Sequence, residues 1–348
     1  MNERNYGIDF LRLILMFMVC MLHTLGQGGV LSACSSGDIN HKIFWFIEIL
    51  SYCAVDGFAI ISGYTAKDKT PNYSRIIQMW FQAFFYSFIL TVIFTIIGLN
   101  ESLSCKEWLK SALPITSGYY WYMTAYFVLF LAMPFLNKFI FSLDDNASKF
   151  SFIILVFVFS VMETAFGAFK TISGYSSLWL MVLYCIGALA KRIRLFEKKK
   201  TITLVFIWII SLLFTWGAYI FAGTDKLIAY TSPTILLNGL IMVLIFSRLN
   251  IKSNCIGKIT PLVFGIYLFQ LNGVVWKIIK DSLSFIPSLN IFVGLLYIFS
   301  FAFILFASGI CVEFFRVKIS KILKISYLSD KIVGFIQKST AKMFIFLK

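Results

Sequence analysis

Two side chains in the first apolar segment of the chain could do chemistry together. Arg12 is followed by ten residues and then His23. Eleven residues of α-helix turn through about 1100°, about 20° more than three turns, so both side chains share one face about 16 Å apart. A planar guanidinium suits phosphate, and an imidazole can take up a hydroxyl proton near neutral pH. The pair predicts a site that holds a phosphorylated carrier at one end and removes a proton at the other.

Each of these two residues also has a structural interpretation. Arg12 could be an anchor whose long side chain reaches the polar edge of a membrane. His23 lies deeper in its segment, and it could instead form a hydrogen bond between helices. The sequence leaves both alternatives open.

Three acidic residues, Glu48, Asp56 and Glu163, lie within apolar segments. Ionisable groups are costly there, so each one is a candidate for function. Glu48 and Glu163 are predicted at about the depth of His23, where one of them could orient and charge-stabilise the imidazole. Asp56 is predicted near the middle of its segment, bonded to backbone or to Ser62 or facing a water-filled cavity. A structural role stays open for all three beside the catalytic one.

The elements that would position these residues are transmembrane helices. Of the 348 residues, 59% are hydrophobic, which exceeds the share in soluble domains. Long apolar runs bounded by glycine, proline, asparagine and charge predict an all-α polytopic bundle. The ten predicted spans are 8–29, 43–66, 76–98, 119–141, 150–168, 175–191, 202–222, 228–247, 259–279 and 290–315.

The distribution of positive charge predicts the orientation of this bundle. With the N-terminus in the cytoplasm, 24 of the 31 Lys and Arg residues lie on the cytoplasmic side and seven on the other. This asymmetry accounts for the net charge of +15 without nucleic-acid binding. Residues 1–315 are predicted to form one transmembrane domain, and residues 316–348 a basic cytoplasmic tail on the membrane surface, attracted by anionic lipid. Glu313 and Arg316 are predicted to pair with each other or with lipid headgroups.

Further motifs follow the Arg12–His23 spacing along the chain. Together they resemble acyltransferase family 3, the bacterial membrane enzymes that O-acetylate lipopolysaccharide, capsule and other glycans. The order and spacing of these motifs carry the resemblance, which covers nearly the whole chain. The motifs are Asp56–Tyr64 at the end of span 2, Trp121–Tyr126 and Met133–Asn137 in span 4, Tyr175–Trp179 with Gly187–Ala188 in span 6, and Phe264–Leu268 in span 9.

The resemblance implies a membrane O-acyltransferase in the bacterial inner membrane. Its donor would be acyl-coenzyme A, by default acetyl-coenzyme A, which enters from the cytoplasm as a substrate and not as a tightly bound cofactor. Its acceptor would be a hydroxyl of a cell-surface or lipid-linked glycan, with His23 as general base. Membrane lipid is the other partner; no metal site is predicted, and direct transfer and an acyl-enzyme both stay open. The residues implied in donor binding are Arg12, Arg75, Ser62, Tyr64, Trp121 and Tyr122.

Two positions depart from the family's pattern. The family often carries an Arg-x-x-Arg pair at the start of span 3, whereas this chain has Arg75 followed by Gln78 at the second position. Phosphate binding then falls to Arg12 and Arg75, with Lys67 or Lys69 as a further alternative. The motif of span 9 often ends in His, and Gln270 at this position argues against an acid or base there.

A membrane transporter or glycan exporter is the alternative function. The buried His, Glu and Asp side chains would then form a path for protons or substrate. The ordered motifs favour the enzyme.

We expect both termini to lie in the cytoplasm, because the positive charges alternate from loop to loop as that orientation requires. Topology reporters fused before Met1 and after Lys348 measure this directly. A signal from the outer face at either end would contradict the predicted orientation.

Overall fold

The computed structural model describes residues 4–69, 72–100 and 103–346, with side chains described as far as residue 340. Every regular element in these ranges is helical, which confirms the predicted all-α class. The helices are α1 Tyr6–Gln27, α2 Ile39–Tyr64, α3 Ser74–Ile96, α4 Cys105–Ala112, α5 Trp121–Ser142, α6 Asp145–Phe166, α7 Ser177–Arg192, α8 Thr201–Ala222, α9 Lys226–Ser247, α10 Asn254–Gln270, α11 Gly273–Ile279, α12 Ile291–Ile322 and α13 Ile325–Phe346.

Within the described ranges, eight helices are long and apolar enough to cross a membrane, namely α1, α2, α3, α5, α6, α8, α9 and α12. The chain is thus a multi-pass membrane protein, but two of the ten predicted spans differ. The segment 175–191 forms α7, which has only 16 residues. The segment 259–279 is divided between α10 and α11, which are bent by 74°. The count of ten is therefore not confirmed.

The bend between α10 and α11 has a local cause in Asn272. Its side-chain oxygen accepts from the backbone N–H of Val274 at 3.0 Å and so caps the start of α11. Its side-chain nitrogen donates to the Tyr86 carbonyl at 2.8 Å and to the Thr91 hydroxyl at 2.9 Å on α3. Because these bonds satisfy the backbone and side chain at the break, the chain can turn here inside the bundle.

Contacts between distant parts of the sequence define two ends of the bundle. At the end where α1 begins, which we call the basic end, Ser247 accepts from the Asn5 side chain at 2.9 Å and from the Tyr64 hydroxyl at 3.2 Å. At the opposite end, the backbone N–H of Asp281 donates to the Gln27 carbonyl at 3.0 Å. Helices α1 and α2 are thus antiparallel. The side of the membrane that each end faces is still a prediction.

Helices α2 and α7 approach each other closely at two glycines. A Cβ on Gly63 would overlap the Tyr184 carbonyl, and a Cβ on Gly187 would overlap the Ile60 carbonyl. Small residues allow this backbone contact, since helices in a membrane gain from close packing. The approach fixes α2, which carries Glu48 and Ser62, at the centre of the bundle.

Glu313 joins α12 to α3 although it is 1% exposed. It accepts from both Nε and Nη2 of Arg316 at 2.7 Å, so the predicted pair between these residues forms. It also accepts from the Tyr86 hydroxyl at 2.9 Å and the Gln82 amide at 3.0 Å on α3. A buried carboxylate that is fully hydrogen-bonded in this way holds its neighbours in place.

The C-terminal segment continues as helix. Helix α12 runs to Ile322, past the predicted division at 315, and α13 then packs against α3, where the Gln78 amide donates to Ser326 at 3.4 Å. The division into 1–315 and 316–348, and the position of the tail on the membrane surface, stay predictions.

We expect Gly187→Ala to destabilise the protein by roughly 1–3 kcal/mol, because the new methyl group must displace the α2 backbone. The melting temperature in detergent measures this. Gly217→Ala on α8 is the matched control, since its Cβ would meet only the edge of Phe221 at 3.9 Å. Equal melting temperatures for the two variants would contradict the close approach.

Candidate active site

A cavity of about 640 Å³ lies at the centre of the helices and is lined by side chains from both ends of the bundle. Along α1 its lining extends from Arg12 to Gln27, which is about 22 Å of helix. The bilayer's hydrocarbon core is about 30 Å thick. One continuous space therefore spans much of the distance between the two membrane faces. A site that receives substrates from both sides of the membrane would need such a space.

His23 lies on the wall of this cavity, where α1 changes from an α-helix to the π-helical turn His23–Gln27. Such turns occur frequently at functional sites. The ring of Trp276 lies perpendicular to the imidazole, with the centroids 5.0 Å apart. The predicted shared face of Arg12 and His23 is confirmed, since both side chains line the same cavity.

Gln270 at the end of α10 sets the orientation of this imidazole. Its Oε1 lies 2.9 Å from Nδ1 of His23, while its Nε2 donates to the Ile266 carbonyl at 3.3 Å and to Sγ of Cys20 at 3.2 Å. Because the amide nitrogen is engaged in this way, Oε1 is an acceptor, and Nδ1 of His23 must be the protonated donor. Nε2 then carries the lone pair and can accept a proton from a substrate hydroxyl.

This arrangement differs from the predicted one, in which a carboxylate orients His23. A neutral amide holds the ring instead, and it is fully buried. The amide fixes the tautomer, as an orienting group does for a base, but it does not stabilise an imidazolium by charge. The expectation that position 270 is not itself an acid or base agrees with this role.

Arg12 lines the cavity at the basic end. Its Nη1 donates to Oδ1 of Asp9 at 2.7 Å, and Arg4 pairs with the other oxygen of the same carboxylate. The Arg12 side chain stays 30% exposed. The guanidinium is thus positioned by Asp9 and still accessible to an anionic group at this end.

The six residues implied in donor binding do not form one cluster. Ser62 lies on the cavity wall with Arg12 at the basic end, but Trp121 and Tyr122 line the cavity at the opposite end. Arg75 is exposed at the start of α3, and Tyr64 bonds Ser247; neither belongs to the cavity lining. The predicted order of spans already places Trp121 and Tyr122 at the end opposite Arg12, but it could not show that Arg75 and Tyr64 lie outside the cavity lining.

The three acids predicted as catalytic have three different surroundings. Glu48 lines the cavity and is 7% exposed. Asp56 is buried between helices, where its Oδ1 accepts from the Trp179 indole at 3.0 Å. Glu163 accepts from the backbone N–H of Phe169 at 2.7 Å and thus fixes the loop after α6. Neither Asp56 nor Glu163 is part of the cavity lining, so their catalytic roles stay predictions without supporting geometry.

A comparison with protein-family models shows the family of this chain. The model of the family described as "Acyltransferase domain" (Acyl_transf_3) matches residues 5–312, nearly the whole chain. The chain belongs to acyltransferase family 3. This confirms the resemblance carried by the motifs and supports a membrane acyltransferase. Neither a curated protein nor a solved structure was found to match the chain.

Several residues of this acyltransferase's cavity were not singled out as site residues in the sequence. A buried glutamine in an apolar run must find hydrogen-bond partners, which could have marked Gln270 as a polar neighbour of some other group. The aromatic residues Tyr52, Tyr230 and Trp276 gave no signal, because aromatic residues are abundant throughout the chain. Their function depends on which of them meet in space.

We expect Gln270→Leu to lower the acyltransferase's turnover roughly 10–100-fold, the usual cost of losing a group that orients a catalytic or metal-bound histidine. The leucine leaves Nδ1–H of His23 buried without an acceptor, so the ring can rotate or change tautomer. Steady-state kinetics give the loss in turnover, and ¹⁵N chemical shifts of His23 report its tautomer. An unchanged tautomer together with unchanged turnover would remove Gln270 from the mechanism.

Proposed function

We propose that this protein transfers an acetyl group from acetyl-coenzyme A to a hydroxyl of a cell-surface or lipid-linked glycan. The observation that carries the proposal is the single cavity in which Arg12 lies at one end and His23 presents Nε2 farther along the same helix. Family membership supports acyl transfer as the reaction class. Acetyl-coenzyme A as donor and a glycan as acceptor are what the resemblance implies, and the positions of Arg12 and His23 in one cavity support this assignment.

The donor would bind from the basic end, which the charge distribution predicts to be the cytoplasmic one. The phosphates of coenzyme A would contact the partly exposed guanidinium of Arg12, which Asp9 holds in position. Arg12 and His23 lie about 16 Å apart along α1, so an extended pantetheine arm can bring the thioester to the imidazole. The apolar lining between them, including Met16 and Val19, suits the aliphatic part of that arm.

The acceptor hydroxyl would react at Nε2 of His23. As the hydroxyl oxygen attacks the thioester carbonyl, its proton passes to Nε2, because Nδ1–H remains bonded to Gln270. The C–O bond of the ester forms and the C–S bond of the thioester breaks. The proton on Nε2 then passes to the departing thiolate, so the products are the O-acetyl glycan, coenzyme A as its thiol and neutral His23.

We expect His23→Gln to reduce acetyl transfer by roughly 10²–10⁴-fold, the usual contribution of a positioned acid or base. Glutamine can retain hydrogen bonds in this position but cannot accept and return a proton near neutral pH. The assay follows coenzyme A release and O-acetyl groups on glycan extracted from cells that lack the gene. The melting temperature of the variant reports whether it folds.

Cys255→Ser supplies the control for this experiment, because Cys255 is exposed and outside the cavity lining. Its transfer rate should match that of the wild type. Near wild-type transfer by His23→Gln would show that the histidine only bonds Gln270. Movement of glycan across vesicles with no consumption of thioester would favour the exporter instead.

A further inference from the structure

Four aromatic side chains contact one another on the part of the cavity opposite Arg12. They come from α2, α5, the loop before α7 and α9, and we call them the aromatic wall: Tyr52, Trp121, Tyr175 and Tyr230. The ring centroids are 4.6 Å apart for Trp121 and Tyr175, 5.0 Å for Tyr175 and Tyr230, and 5.0 Å for Tyr52 and Tyr230. All four side chains line the same cavity as His23.

The spacing of these rings indicates which chemistry they can bind. Centroids 4.6–5.0 Å apart mean that the rings touch one another. An ammonium group bound by cation–π attraction needs the open face of each surrounding ring. Rings in mutual contact leave no room for an ammonium group between them. The planes of Trp121 and Tyr175 are tilted by 54°, so the cavity meets separate apolar ring faces, and one such face suits the C–H face of a pyranose ring.

Two polar atoms have no hydrogen-bond partner among the described residues, and the side chains that carry them lie next to the aromatic wall. They are Oε2 of Glu48 and the hydroxyl of Tyr122, and both side chains line the cavity. Glu48 is 7% exposed and Tyr122 is 8% exposed. A buried polar atom without a partner costs about 1–3 kcal/mol. A ligand that carries hydroxyl groups would remove this cost by bonding to both atoms.

The loop that carries Tyr175 is held in an uncommon backbone conformation. Lys170, Ile172 and Ser173 have φ values of 50°, 55° and 53°, in the left-handed region that a β-branched residue such as Ile172 rarely adopts. The carboxylate of Glu163 accepts from the backbone N–H of Thr171 at 3.1 Å and from the Thr171 hydroxyl. These bonds stabilise the loop, so Glu163 is a positioning residue for Tyr175.

The charges around the cavity separate this region from the donor end. Arg12 is the only Lys or Arg that lines the cavity in the described part of the chain, and it lies at the basic end. The aromatic wall has the carboxyl group of Glu48 beside it and no cation. Phosphate is therefore disfavoured here, whereas an uncharged sugar ring is not.

A second pocket, of about 440 Å³, adjoins the cavity at the end opposite Arg12. The two share Trp121, Leu271 and Trp276 as lining residues. This pocket extends the site to Lys110 on α4. A chain of sugars with one ring on the aromatic wall could thus continue out of the bundle through this opening.

We propose that the aromatic wall, together with Glu48 and Tyr122, is the acceptor subsite and binds one uncharged pyranose ring of the glycan. One face of the ring packs on Trp121 and Tyr175. Two of its hydroxyls bond to Oε2 of Glu48 and to the Tyr122 hydroxyl, and a further hydroxyl points toward His23. This inference rests on the proposed function and specifies the acceptor end of the same site.

The test measures the acceptor and donor Michaelis constants separately, with acetyl-coenzyme A and glycan extracted from cells that lack the gene. Tyr175→Ala and Glu48→Gln are the variants. Tyr175 is 45% exposed, so its loss should leave the fold intact. Each variant should raise the acceptor KM at least tenfold and change the donor KM less than twofold. Tyr175→Phe retains the ring and should recover most of the affinity lost in Tyr175→Ala.

Matched controls come from the surface of the same bundle. Tyr219 on α8 contacts Trp45 outside the cavity, with the ring centroids 4.3 Å apart, and Asp38 is exposed just before α2. Tyr219→Ala and Asp38→Asn should leave both constants unchanged. Supplying the glycan either as released polymer or as its lipid-linked fraction identifies which of the two sources the subsite binds.

Two results would overturn the acceptor subsite while leaving the proposed function in place. One is wild-type acceptor KM in both Tyr175→Ala and Glu48→Gln. The other is a rise confined to the donor KM, which would assign the aromatic wall to the acyl carrier. Absence of transfer by the wild-type protein to either glycan fraction would instead refute the proposed function.

Discussion

The hydrogen bond between His23 and Gln270 is the contact on which the candidate site depends. It joins α1 to the end of α10, and it satisfies two polar groups that would otherwise be buried without partners. In an apolar bundle such a bond is strongly favoured over the unpaired alternative. It also selects the tautomer of the imidazole, so one contact stabilises the packing and leaves Nε2 of His23 facing the cavity.

The bundle is divided into central and peripheral helices. Helices α1, α2 and α9 are mostly buried and contribute His23, Glu48 and Tyr230, whereas α6 and α8 expose apolar surface that suits lipid. Close approach at Gly63 and Gly187 brings α7 against α2. The rigid centre then holds residues from different helices around one cavity.

Polar residues with similar sequence surroundings take different roles for geometric reasons. Glu48, Asp56 and Glu163 all lie in apolar helices, yet one lines the cavity, one bonds an indole between helices and one stabilises a loop. The Glu163 loop places Tyr175 on the aromatic wall. A residue outside the cavity can thus affect binding by positioning one that is inside it.

The sequence alone determined the helical class, the membrane location, the family and the shared face of Arg12 and His23. These follow from hydropathy, from motif order and from helical periodicity, all of which are local properties of the chain. The sequence did not determine the number of spans, since Asn272 divides α10 from α11 and α7 is short.

Only the tertiary structure decided which polar and aromatic groups meet. Gln270 lies 247 positions from His23, and Tyr175 and Tyr230 lie far from Trp121 in sequence but in contact with it in space. It also left Arg75 and Tyr64 outside the cavity lining. Such pairings depend on how the helices pack, and no spacing along a single helix specifies that packing.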